Sequence, residues 1–137
     1  MLIREAMKTP PRSIAASSSI AEAARVMERE CIGSLPVVKN GKLVGILTDR
    51  DICCRGIGQG HDPKRTSVGK IMSRDVVTCF DDQDLHDAAA VMERKKVLRV
   101  PILDRAKRLV GIVTLADLSH RVGPELTAEV ESNVTWR

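Results

Sequence analysis

Apolar positions along this chain follow two spacings, and each spacing occurs twice. Ile20, Ala23, Ala24 and Met27 recur at helical intervals, and so do Leu85, Ala88, Ala89 and Met92. Ser19-Ile20-Ala21-Glu22 reads as a capping box, and Asp84 holds the capping position before the second helix. Small alanines in the middle of both faces predict close approach to a sheet or another helix. Shorter apolar runs read as strands: Gly33–Val38 and Leu43–Leu47 in one half, Leu98–Leu103 and Leu109–Val113 in the other. Asn40-Gly41 is a hairpin signal. Pro36 and Pro101 belong at a strand edge or at a break in a ladder. A final helix is expected after Thr48 and again after Thr114.

The two halves are copies of one unit. Met7 aligns with Met72, Ile20 with Leu85, Met27 with Met92 and Pro36 with Pro101, all offset by 65 residues. After the turn the offset is 66, aligning Gly45 with Gly111, Thr48 with Thr114 and Asp51 with Asp117. The one inserted residue falls in the polar stretch Asp104–Arg108, opposite Lys39–Lys42, where an extra residue is tolerated. An internal repeat implies that any site comes in two versions. Each unit parses as strand, helix, strand, strand, helix. The organisation read from this is a first repeat over 1–58, a linker over 59–66, a second repeat over 67–122 and a C-terminal tail over 123–137 with the single Trp.

Composition narrows the class. The chain has 137 residues, 43% hydrophobic and 29% charged, enough for a real core. No apolar run approaches the roughly 18–20 residues that span a bilayer, and the start Met-Leu-Ile-Arg-Glu has no long apolar stretch. A cytoplasmic protein with no membrane contact is expected. The net charge of +4 is spread among interleaved acids, as in Glu93-Arg94-Lys95-Lys96. With one Phe, one Trp and no Tyr, a stacking platform for nucleic acid is disfavoured. Cys31, Cys53, Cys54 and Cys79 form no C-x-x-C pair, so the usual structural zinc spacing is missing. Cys31 and Cys79 read as core or near-core fillers, whereas adjacent Cys53 and Cys54, with His61 nearby, leave a redox or metal role open. The glycines of Gly56–Pro63 read as a flexible connection, not a dinucleotide fingerprint. His61, His86 and His120 are scattered, His86 is expected to be exposed, and Asp81-Asp82 reads as a turn. No catalytic motif is present, so no enzyme is expected.

The strongest chemical signal is the end of each return strand. Gly45-Ile46-Leu47-Thr48-Asp49-Arg50-Asp51 and Gly111-Ile112-Val113-Thr114-Leu115-Ala116-Asp117 both place Thr and Asp three residues apart. An ionised Asp accepts two hydrogen bonds from a ribose diol, and a Thr hydroxyl beside backbone N–H groups suits phosphate. An Asp in a first helical turn also complements the helix dipole.

With both units in register, residues 1–122 resemble a tandem pair of cystathionine-β-synthase (CBS) domains. The resemblance implies an α+β fold of two β-α-β-β-α CBS repeats about a pseudo-twofold axis, a Bateman-type module. It implies clefts for adenosine-containing ligands such as AMP, ADP or ATP. One cleft would use Ile46, Thr48 and Asp51 with Val77, Leu98 and Arg99. The other would use Thr114 and Asp117 with Ile14, Gly33 and Ser34. Arg99 stands where ligand-binding relatives often carry a basic residue facing phosphate, and Ser34 replaces it in the other cleft, so the Asp51/Arg99 site is expected to favour charged phosphate. Arg50 could also reach an anion. The implied role is a regulatory or sensory module with no catalytic residues, no required cofactor and no metal. It would act on an unknown regulated protein and form a homodimer, with Ile52, Ile57, Leu118 and Val122 as exposed apolar positions. The alternative is a non-catalytic dimeric interaction or stress-response protein with empty clefts, metal- or redox-responsive through Cys53 and Cys54.

Overall fold

The computed structural model describes residues 1–121 and Ala128. Val122 and the rest of the tail, Ala128 apart, lie outside the described residues. The chain divides into two compact units. One comprises Arg12–Val76, and the other joins Met1–Pro11 to the chain from Val77 onward. The units therefore do not coincide with the sequence repeats, because the lead-in of the first repeat belongs to the body of the second.

The Arg12–Val76 unit is built on a three-stranded sheet ordered β1 (Ile14–Ala15), β2 (Ser34–Lys39), β3 (Lys42–Thr48). β1 runs parallel to β2, which demands a crossover, and α1 (Ile20–Glu30) supplies it. The Ser19 hydroxyl accepts from the Glu22 N–H at 3.1 Å, satisfying one orphan donor of the first turn. Ile20, Ala23 and Met27 are buried, but Ala24 is exposed. The apolar stripe of α1 is thus narrower than expected, since Ala23 and Ala24 stand about 100° apart on a 3.6-residue helix. Asn40 and Gly41 have φ of 54° and 78°, the two left-handed residues that a tight hairpin between β2 and β3 requires.

The other unit repeats this plan with β4 (Cys79–Phe80), β5 (Arg99–Leu103) and β6 (Leu109–Thr114) in the same order. A short α2 (Val68–Ile71) precedes it in the chain, and α3 (Leu85–Lys95) is the crossover. The Asp84 carboxylate accepts from the His86 N–H at 2.9 Å, while Asp87 accepts from the Asp84 N–H at 3.2 Å. Leu85, Ala88, Ala89 and Met92 are all buried, as the pattern predicts. The extra residue of this copy sits in the Asp104–Arg108 turn, where Asp104 Oδ1 accepts from the Arg108 N–H at 2.9 Å.

Pro36 and Pro101 lie in the middle strand of each sheet, not at an edge. Their cross-strand partners explain how. Ile46, opposite Pro36, spends its N–H and C=O on Ser73 at 2.8 and 2.9 Å. Ile112, opposite Pro101, spends its own on Lys8 at 3.2 and 2.9 Å. Neither isoleucine offers a bond that a proline N–H would have taken. On the other side, β1 begins pairing only at Val37, one residue past Pro36.

The lead-in segments are locked by close packing. A Cβ on Gly45 would lie 2.6 Å from Met72 Sδ, and one on Gly111 would lie 2.5 Å from Met7 Sδ. Ile3, wholly buried, joins Leu85, Val100, Val113 and Leu118 in one core. The second core gathers Ile14, Ile20, Leu35, Val37, Leu47 and Val68.

Three expectations about exposure need correction, those for Cys31, Leu118 and Ile52. Cys31 is exposed, because it is the left-handed cap (φ 54°) where α1 ends. Leu118 is fully buried on α4 (Leu115–Arg121) and is no docking residue. The helix expected after Thr48 is present, and it takes the form of a π-helical turn, Asp51–Gly56, followed by a 3-10 turn, Ile57–Gln59. Ile57 is 55% exposed, whereas Ile52 packs on its own unit's core.

Candidate functional site

Each unit ends its return strand in the same knot of hydrogen bonds. In the Arg12–Val76 unit, the Thr48 N–H donates to Asp51 Oδ2 at 3.0 Å, and the Asp51 N–H donates back to Thr48 Oγ1 at 3.1 Å. In the other, the Thr114 N–H and hydroxyl both donate to Asp117 Oδ2, at 2.8 and 3.0 Å, and the Asp117 N–H returns to Thr114 Oγ1 at 3.4 Å. The Thr-x-x-Asp spacing is what lets one residue cap the other at a strand-to-helix turn. Both carboxylates are held in place with 11% of the side chain exposed.

The second carboxylate oxygen is less engaged. Ser73 Oγ lies 3.5 Å from Asp51 Oδ1, and Arg55 Nε lies 3.9 Å from it. Asp117 Oδ1 faces Lys8 Nζ at 3.9 Å. Ser73, Arg55 and Lys8 went unnoticed in the sequence. The repeat itself carried a signal for two of them, because Lys8 and Ser73 occupy equivalent positions directly after Met7 and Met72.

The other residues named from the sequence divide between the units. Ser34 opens β2 directly opposite Thr48. Ile14 is a core residue of β1, paired with Val37. The Gly33 carbonyl accepts from the Asp49 N–H at 2.9 Å, and a Cβ on Gly33 would stand 3.1 Å from Asp49 Oδ2. Ile46 is half-buried at the same end of β3. In the other unit, Arg99 opens β5 opposite Thr114 and is exposed. The Leu98 carbonyl accepts from the Leu115 N–H at 3.0 Å, and Val77 is half-buried. Each unit thus gathers a strand-opening polar residue, a Thr and an Asp at one sheet end. Arg50 is exposed, and its N–H donates to Asp49 Oδ1 at 2.8 Å.

The cysteines are chemically unequal. Cys53 and Cys54 are exposed, and Cys79 is buried. Burial, with the charge of Asp87 adding to it and that of Arg94 opposing it, pushes the Cys79 thiol up to about 11. Among the described residues, no three His, Cys, Asp or Glu side chains are grouped to hold a metal ion. His86 is exposed, with Nδ1 at 2.9 Å from Asp84. No helix among the described residues is long and apolar enough to cross a membrane.

The family described as CBS domain matches residues 3–55 and again 68–123. The chain belongs to the CBS domain family. It is 38% identical over 134 residues to the CBS domain-containing protein YhcV of Bacillus subtilis, covering 97% of this chain and 94% of that one. Hypoxic Response Protein I, a structure with two coordinated zinc ions, is 31% identical with a TM-score of 0.80, covering 88% of this chain and 98% of that one. The CBS domain pair of protein MJ0100, in complex with 5'-methylthioadenosine and S-adenosyl-L-methionine, is 34% identical with a TM-score of 0.73, covering 88% and 94%. The chain also matches enzymes of which it spans about a quarter. A CBS pair, with its α+β fold and two three-stranded sheets, is therefore the family and fold of this protein.

Proposed function

We propose that this CBS pair is a regulatory or sensory module, not a catalyst, and that it binds an adenosine-containing ligand through its two Thr-x-x-Asp turns. The observation that carries the reading is the divided use of each carboxylate. Oδ2 of Asp51 and of Asp117 is fixed by the Thr N–H, whereas Oδ1 has only contacts of 3.5–3.9 Å. A ribose diol donates two O–H groups, and a held carboxylate with a spare oxygen accepts them at little ordering cost. Near-burial strengthens those bonds relative to water.

Around each turn, the remaining residues have matching roles. Ile46 in one unit and Val77 and Leu98 in the other offer apolar contact for a purine. Ser34, Gly33 and Arg99 stand where polar groups of the ligand would meet a strand end. The ligand complex of the MJ0100 pair, at 34% identity, supports this class of ligand. AMP, ADP and ATP belong to the same class. A bound ligand regulates a partner protein only through different affinity for two arrangements of this chain. Self-association would draw on Ile57, the exposed apolar residue of the 3-10 turn.

Thermal shift with adenosine, AMP, ATP, S-adenosylmethionine and 5'-methylthioadenosine, against guanosine counterparts, tests the reading. At a concentration 100 times Kd, a ligand stabilises the folded chain by roughly 2.7 kcal/mol. An adenosine compound is expected to raise Tm where its guanosine counterpart does not. No shift with any of them at millimolar concentration contradicts it.

A further inference from the structure

The two Thr-x-x-Asp ends differ in charge, and the difference lies within each unit. Lys8 and Ser73 are repeat equivalents, as are Arg99 and Ser34. Around Asp117 stand Lys8, at 3.9 Å, and Arg99, cross-strand from Thr114. Around Asp51 stand two hydroxyls, Ser73 at 3.5 Å and Ser34 cross-strand from Thr48. The cation near Asp51 is Arg55, whose Nη1 also reaches the Ile71 and Met72 carbonyls at 3.5 Å, so part of its guanidinium is engaged inside its own unit. Lys8 differs. Its side chain is 67% exposed, and its ion pair to Asp117 is a loose 3.9 Å. Its backbone is fixed on both sides by Ile112, so the side chain leaves from a held position.

An uncharged nucleoside needs only the carboxylate. A ligand with phosphate gains from a cation with spare N–H donors, well inside the ~10 Å screening length. We infer that Lys8 is a specificity-determining residue that makes the Thr114/Asp117 end prefer phosphate-bearing adenosine ligands over uncharged ones. This rests on the adenosine-ligand reading above. It assigns the charged ligand to Asp117, whereas the sequence reading favoured a cleft of Asp51 with Arg99.

The test is calorimetric titration with ATP and with adenosine in an Asp51→Asn background, where the Asp117 end alone is read, with and without Lys8→Ser. Thermal unfolding checks that each variant is folded. The expected result is an ATP preference in D51N that falls about tenfold in D51N/K8S, with adenosine affinity nearly unchanged. An unchanged ATP-to-adenosine ratio on losing Lys8 overturns the role of Lys8 and leaves the ligand class standing. So does an Asp117 end that takes neither compound while the wild type still binds. If the wild type itself binds neither, nor any other adenosine compound, the proposed function falls, and this inference falls with it.

Discussion

Thr48 and Asp51 cap each other, with N–H to Oδ2 at 3.0 Å and N–H to Oγ1 at 3.1 Å. The aspartate that would hold a ribose is thus also part of the fold. Asp51→Ala should cost about 1 kcal/mol of stability, as lost caps do. Asp51→Asn keeps an oxygen for the Thr48 N–H and should cost less than half of that. Urea denaturation of the two variants separates the structural share from the ligand-binding share.

The glycines of the repeated heptad are steric necessities. A Cβ on Gly45 would meet the Ser73 carbonyl oxygen at 2.8 Å as well as Met72 Sδ. On Gly111 the nearest backbone atom is Lys8 O at 3.1 Å, and the tighter contacts are to the Met7 side chain, which can move. Both Gly→Ala changes should destabilise by about 1–3 kcal/mol, with Gly45→Ala the worse. Met7→Ala should recover part of the loss in G111A, measured by thermal unfolding.

Residues 1–11 belong to the body of the second repeat. Ile3→Ala should cost about 2–5 kcal/mol. Hydrogen exchange gives the sharper readout: the amides of Val100 and Val113 should exchange faster, and those of Val37 and Leu47 should change less. The reverse pattern would place Ile3 in the other core.

Three of the four cysteines are exposed. Iodoacetamide at neutral pH should label Cys31, Cys53 and Cys54 in the native protein and Cys79 only after unfolding. Cys79 also carries a pH dependence. Its folded value of about 11 lies above the ordinary thiol value of 9.0, so the folded state holds the proton more tightly. The stabilisation is full below pH 9 and is lost as pH rises toward 11. Cys79→Ala should flatten that part of the alkaline unfolding profile.

Much of this was legible because it is local. The strands, the Asn40-Gly41 turn and the Ser19 and Asp84 caps each follow from a few neighbouring residues. The exchange of lead-in segments was hidden, since a repeat aligns Met7 with Met72 without saying on which sheet either one packs. Leu118 and Cys31 were misjudged for related reasons. Helical spacing does not tell an outward face from an inward one on a short helix, and a left-handed cap turns a small apolar residue outward. The π-helical turn at Asp51–Gly56 has no spacing of its own to read. Lys8 and Ser73 were overlooked because neither resembles a ligand residue until its distance to a carboxylate is known.

The central claim is that Asp51 and Asp117 receive an adenosine-containing ligand. Calorimetric titration of the wild type and of D51N/D117N with AMP, ATP and S-adenosylmethionine tests it most directly. At least one compound should bind the wild type saturably and bind the double variant at least about tenfold more weakly, since a hydrogen bond to a charged group contributes roughly 1.5–3 kcal/mol. Equal affinity for both proteins, or no binding to the wild type, would contradict the account.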